Sequence, residues 1–192
     1  MTDGSKLSIF IDGAYLFKGF TEYGFGTAYR QSLKRLARRI SENHYLVRVH
    51  YYNAINNRDQ ALKEKQERFY QGVLRDKFGW NVRILPLQWP GGKAQQKGVD
   101  TTLALEMNQL AISNEYETAV LLAADADFVP LVEYVKQCGK VVRNAYYAMR
   151  PSWHLQQACN GAPIRLDDID FIYRATNTQA LGTIDDIRAG LF

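Results

Sequence analysis

The sequence predicts an α/β protein with a mostly parallel central sheet covered by helices on both faces. Two observations carry that prediction. Short apolar, strand-like runs alternate with amphipathic helical stretches along almost the whole chain. The 192 residues, 46% hydrophobic and 23% charged, suit one soluble domain with a sizeable core.

Residues 7–11 form the first apolar run and the first strand. Over residues 28–42, Leu33, Leu36, Ala37 and Ile40 recur at helical spacing, with Lys34, Arg35, Arg38 and Arg39 on the outer face. Residues 46–52 alternate Leu46, Arg48 and His50 with Val47, Val49 and Tyr51, a strand with one drier face. A long charged helix over 59–77 turns Leu62, Phe69, Val73 and Leu74 inward. Strand 80–87 is ended by Pro86 and Pro90, and a flexible basic loop follows over 89–98. Helix 100–113, strand 118–124, helix 128–138 (closed by Gly139), strand 140–147 and a short helix over 152–159 complete the alternation. Residues 164–169 add a last extended segment.

The domain is read over residues 1–175 and a polar tail over 176–192. The tail's isolated apolar residues, Leu181, Ile184, Ile187, Leu191 and Phe192, suit loose docking or a homodimer contact. No signal-peptide core follows the N-terminus, and no apolar run approaches the roughly 20 residues of a membrane span. Cys138 and Cys159 show no metal-ligand spacing and read as reduced thiols of a cytoplasmic protein.

Charge is distributed unevenly. Residues 1–97 carry 17 Lys+Arg against 8 Asp+Glu, a balance of +9, and residues 98–192 carry 7 against 12, a balance of −5, which agrees with the net +4. An acidic cluster beside a basic surface suits a metal site acting on a polyanion; solvated helix faces are the plainer explanation.

Four aspartates stand where such a site needs them. Asp12 ends the first apolar run, and Asp125 and Asp127 follow the run 119–124. Asp100 heads the stripe Leu103, Ala104, Met107, Leu110 and Ala111, so it is expected to point toward the sheet. In parallel sheets ligands bind beyond the carboxyl ends of the strands, at a topological switch point. Carboxylates there are costly to desolvate unless a cation or hydrogen bonds offset the cost. Taken singly, Asp100 and Asp127 also read as helix-start residues and Asp12-Gly13 as a tight turn. Residues two apart in an extended stretch share a side, so Asp125 and Asp127 are expected to face one ion. Oxygen ligands without His or Cys point to Mg²⁺ or Mn²⁺. His44, His50 and His154 are scattered, and no Ser-His-Asp, Cys-His or Walker-type arrangement is present.

The segments Phe10-Ile11-Asp12-Gly13-Ala14-Tyr15-Leu16, Lys97-Gly98-Val99-Asp100 and Ala124-Asp125-Ala126-Asp127-Phe128-Val129-Pro130-Leu131 resemble the NYN-domain family. The resemblance is to its LabA-like branch, within the wider PIN-like nuclease group, and covers about residues 6–172. It implies a PIN-like three-layer α/β/α sandwich and a Mg²⁺- or Mn²⁺-dependent ribonuclease. Carried over by position, Asp12, Asp100, Asp125 and Asp127 form the catalytic, metal-holding site. Two positions depart from the family pattern. Ala123-Ala124 replace a usual Ser-Gly, and Asn160 stands where relatives place an aspartate after the late short helix.

Candidate RNA contacts are Lys18, in the loop leaving the first strand, Asn53 after the second, and Lys93 and Lys97 on the loop entering Asp100. Tyr15 and Arg58 belong to the same set of polar groups expected beside the site. Tyr51, Tyr52, Trp89 and Trp153 would either stack bases or pack in the core. The leading reading is an endoribonuclease acting on single-stranded or structured RNA. The alternative is an RNA-binding or regulatory protein that keeps the acidic pocket with little or no catalysis. A flap-type DNA nuclease shares the acidic cluster, whereas an aspartyl-nucleophile phosphatase needs an acid at the position of Ala14.

Overall fold

In the computed structural model, which describes residues 4–22, 29–41 and 43–167, six strands form one all-parallel sheet. In chain order they are β1 (Lys6–Asp12), β2 (Tyr45–Ile55), β3 (Asn81–Pro86), β4 (Thr118–Leu122), β5 (Val141–Tyr146) and β6 (Ile164–Arg165). Across the sheet they lie in the order β3-β2-β1-β4-β5-β6. The helices are α1 (Gly13–Glu22), α2 (Tyr29–Ile40), α3 (Gln60–Glu67), α4 (Val99–Ile112), α5 (Val129–Gln137) and α6 (Trp153–Ala158). The expected three layers are present. On one face, Leu16, Leu33, Leu36 and Leu74 pack on Ile9, Ile11, Tyr51 and Val120. On the other, Leu103, Met107, Val132 and Leu155 pack on Phe10, Tyr52 and Leu121.

Burial on two faces explains the strand sequences. Every residue of β4 is buried, as are residues 7–11 of β1. The single drier face expected of β2 is not found, because residues 49–54 are all buried. Tyr51 enters one layer and Tyr52 the other, since β2 lies between β1 and β3 with helices on both sides. A strand in that position cannot be amphipathic.

Two local differences matter for the site. The segment after β1, expected as loop, is the helix α1, and Lys18 lies on it. The charged helix expected over 59–77 is α-helical only to Glu67, and Arg68–Lys77 is π-helical. The wider turn of a π-helix rotates the inward face, so Phe69, Tyr70 and Leu74 are buried while Leu62 and Val73 are only half-buried. The tail over 176–192, with its suggested dimer contact, lies outside the described residues. Among the described residues no helix is long and apolar enough to cross a membrane.

Beneath α4 the sheet carries a polar network. His50 stacks on Phe10 with ring centroids 4.7 Å apart and lies 3.5 Å from Glu106 Oε1. Asn81 Nδ2 donates to Glu106 Oε1 at 2.6 Å, and Arg83 Nε donates to Oε2 at 3.1 Å. Burial pushes the His50 imidazole down to about 4, against the opposing pull of Glu106. The Glu106 carboxyl is raised by burial, yet its bond to Arg83 and the nearby positive charges hold it below the usual range.

The unfolded imidazole therefore binds a proton near its ordinary 6.5 while the folded one resists it. This contribution to stability is complete above about pH 6.5 and is lost as pH falls toward 4. His50→Gln is expected to flatten that part of the profile, so urea midpoints of the two chains should diverge at pH 7 and converge at pH 5.

Candidate active site

The site forms where the sheet changes direction. β1 pairs with β2 on one side and β4 on the other, with Ile11 opposite both Tyr51 and Leu122. The helices following β1 and β4 leave on opposite faces, which opens a crevice above the carboxyl ends of these strands. Asp12 ends β1 there. Its Oδ1 accepts hydrogen bonds from the amides of Ala14 at 2.9 Å and Tyr15 at 3.2 Å, so it caps α1 and retains Oδ2 for a ligand.

Gly13 is needed for close approach rather than for a turn. A Cβ at this position would stand 2.5 Å from Tyr51 Oη and 2.8 Å from Asn53 Nδ2. Gly19, on α1, is tighter still, because a Cβ there would fall 2.0 Å from the Tyr147 ring.

Asp125 follows β4 by three residues. Asn144 of β5, fully buried, donates from Nδ2 to the carbonyls of Leu121 at 3.0 Å and Ala123 at 2.9 Å, fixing the end of β4 from which Asp125 projects. Asp125 Oδ1 accepts from the amide of Asp127 at 2.9 Å, capping a 3₁₀ turn over Ala126–Phe128. The extended geometry expected to align the two carboxylates is thus replaced by a turn, and both side chains are exposed. Asp127 does not cap α5, whose N-cap is Phe128 without a side-chain bond.

Asp100 differs from expectation in a related way. α4 starts after Gly98, which has φ 82°, and Val99 rather than Asp100 takes the inward position. The buried stripe is Val99, Leu103, Met107 and Ala111, with Ala104 and Leu110 half-buried and Asp100 exposed beside it. Its carboxyl remains electrostatically part of the cluster. Lost hydration raises it first, and the charges of Asp125 and Asp127 raise it further. Asp12 is raised to about 6, chiefly by burial, with the Tyr15 amide opposing and Asp100 adding to the rise.

A cleft of about 560 Å³ brings Asp12 and Asp125 together with Lys18, Tyr15, Ala124 and Arg150. Arg150 was missed in the sequence. It follows the carboxyl end of β5 and so stands on the same rim, although its distance from the aspartates along the chain concealed it. Tyr15 Oη accepts from the Tyr147 amide and donates to the Arg150 carbonyl, each at 2.9 Å, and so ties α1 to the loop after β5. The Arg150 guanidinium pairs with Glu22, whose carboxyl it holds below the usual range. The cleft is therefore lined by both acidic and cationic side chains.

Other expected residues lie elsewhere. Asn53 is fully buried, donating to Tyr51 Oη at 3.1 Å and accepting from Gln96 Nε2 at 3.0 Å, so it supports the rim from below. Lys93 and Lys97 are exposed on the loop before α4 and do not line the cleft. Asn160 sits at the opposite end of β5, bonded to the Val142 amide at 2.7 Å and the Lys140 carbonyl at 3.2 Å. The buried late carboxylate near the rim is Asp167, which accepts from the Ala148 amide at 3.0 Å.

The donor set fits a hard divalent cation, being all oxygen, mutually repelling and partly desolvated. Among the described residues no three acidic, His or Cys side chains converge into a closed cage.

An all-parallel sheet with carboxylates at the carboxyl ends of its central strands is consistent with a PIN-like fold. The NYN domain family model matches residues 6–167, and the chain belongs to that family. Its fold is also similar to that of a protein of unknown function from Vibrio parahaemolyticus, at 21% identity and a TM-score of 0.66, over 86% of this chain and 94% of the other. No curated protein matches the chain.

Gly19→Ala is expected to displace Tyr147 and lower stability by about 1–3 kcal/mol in urea denaturation, the usual cost of overpacking. Asp12→Asn should stabilise the metal-free chain at pH 8. A raised carboxyl favours folding while protonated, below about 3.8, and loses that contribution as pH rises through about 6. Equal melting temperatures for the two chains at pH 8 would contradict the Asp12 assignment.

Proposed function

We propose that this chain is a divalent-cation-dependent endoribonuclease of the LabA-like branch, acting on RNA in the cytoplasm at the cleft between β1 and β4. The observation that carries this reading is the presence of Asp12, Asp125, Lys18 and Arg150 in the lining of a single cleft. Asp12, Asp100 and Asp125 would hold Mg²⁺ or Mn²⁺ directly or through its bound waters, with Asp127 as a ligand or as an orienting group. When bound, the ion supplies Lewis-acid polarisation of a phosphodiester and lowers the pKa of the attacking water. Lys18 and Arg150 would neutralise the phosphate as it enters, Arg150 through guanidinium N–H groups other than those that its Nε and Nη2 donate to Glu22. Glu22 holds that guanidinium in place and α1 carries Lys18, so the anion meets cationic groups already oriented. Because Asp12 is raised to about 6, cation binding should strengthen as pH rises toward 7 and then level off.

A second reading, RNA binding with little cleavage, is favoured by Ala124, whose methyl group lines the cleft where relatives carry glycine, and by the open carboxylate arrangement.

Labelled single-stranded RNA, structured RNA and DNA, incubated with Mn²⁺, Mg²⁺ or EDTA, test the two readings. The expected outcome is cation-dependent cutting of RNA, lost in Asp125→Asn and reduced about 10- to 100-fold in Arg150→Ala, the scale of a lost charge-assisted contact. RNA retained without cutting, by wild type in either metal, would establish the binding reading instead.

A further inference from the structure

Two strands away from the cleft, the same rim carries a side-chain arrangement that phosphodiester cleavage does not use. Arg58 follows the carboxyl end of β2 by three residues, and Trp89 follows that of β3 by three. The Arg58 guanidinium carbon lies 4.6 Å from the centroid of the Trp89 ring. Trp89 Nε1 donates to Asn57 Oδ1 at 2.7 Å, and the ring packs against the core layer beneath α4. The ring is thus fixed in position and in plane, with Arg58 exposed above it.

The loop that carries Trp89 is also held. The amide of Gln88 donates to the carbonyl of Gln95 at 2.9 Å, and the amide of Gln95 donates back to Gln88 at 2.8 Å. This pairing closes the loop expected to be flexible into a small hairpin. Gln96 then donates to Asn53, Asn53 donates to Tyr51, and Tyr51 Oη stands under Gly13, the residue after Asp12. A continuous set of hydrogen bonds and contacts therefore joins the loop to the catalytic turn.

A surface arginine is ordinarily free to sample many rotamers, and losing that freedom opposes folding. Here the guanidinium lies over an indole that is itself anchored, while Lys93 and Lys97 stand exposed on the loop that carries the indole. A planar cation held over a ring whose own loop carries two further positive charges matches an unpaired base with its flanking phosphates.

We propose that Arg58, stacked on Trp89, is a platform for an unpaired nucleobase of a single-stranded RNA running along the rim from the cleft. Lys93 and Lys97 contact the adjoining phosphates. The identity of the ligand rests on the ribonuclease reading; the platform is tested separately, by binding.

The experiment uses the full chain carrying Asp125→Asn, so that RNA stays intact, and reads fluorescence anisotropy of a short labelled single-stranded RNA at fixed low salt. Its probes are that strand and an abasic strand of equal length and charge. Arg58→Lys, which keeps the charge and removes the planar fork, is expected to weaken binding of the base-bearing strand roughly 5- to 100-fold, the range of one lost stacking contact. The abasic strand should bind the parent weakly and be indifferent to Arg58→Lys. Matching thermal unfolding of Arg58→Lys and its parent excludes a folding defect as the cause. Equal affinity of the two strands for the parent, equal affinity of Arg58→Lys and parent for the base-bearing strand, or no binding at all overturns the platform. Absence of cutting by the wild type in Mg²⁺ and Mn²⁺ counts against the ribonuclease reading alone, because the strand comparison stands without it.

Discussion

Side by side at the centre of the sheet, β1 and β4 are buried on both faces, and the helices that follow them depart in opposite directions. Two consequences follow from that constraint. Neither strand can place a charge until it emerges from the core, so its first carboxylate comes at the carboxyl end. Among the described residues no helix covers the gap between the two exits, so both carboxylates line one crevice. Asp12 and Asp125 owe their proximity to this geometry, although 112 positions separate them in the numbering.

The crevice is supported by groups that have no part in chemistry. Asn144 holds the last carbonyls of β4, and Tyr15 ties α1 to the loop after β5. Gly13 and Gly19 let α1 lie against Tyr51 and Tyr147 where any side chain would collide. These contacts leave Asp12 in a position where burial and Asp100 both disfavour its charge. A cation relieves that electrostatic cost, which links the fold to its expected cofactor through a physical term rather than through family membership alone.

Much of this was legible in the chain. Apolar runs bounded by helical periodicity identified the strands, and their aspartate endings pointed to the rim, because strand burial is a local property of sequence. Errors arose where a neighbour decided the outcome. The strand β2 carries polar residues at alternate positions yet is wet on neither face through residues 49–54, since His50 is satisfied by Asn81 and Glu106 from other elements. Asp100 was misplaced by one residue on its helix because the left-handed Gly98 sets where α4 begins. The helix α1 is not evident from the sequence, because its apolar residues are grouped too irregularly to show a clean period.

Sequence alone determined the parallel α/β class, the NYN family and the placement of Asp12 and Asp125 at strand ends, because strand pattern, turn residues and short motifs are all encoded within a few neighbouring positions. Tertiary structure decided the cationic side of the cleft, where Arg150 arrives from beyond β5, and the role of Asn53, which supports the rim from beneath. It also exchanged Asn160 for Asp167 as the late polar residue at the carboxyl end of the sheet. Each of these depends on which strand ends lie side by side. That is set by the packing of helices on two faces, and no local stretch of the chain records it.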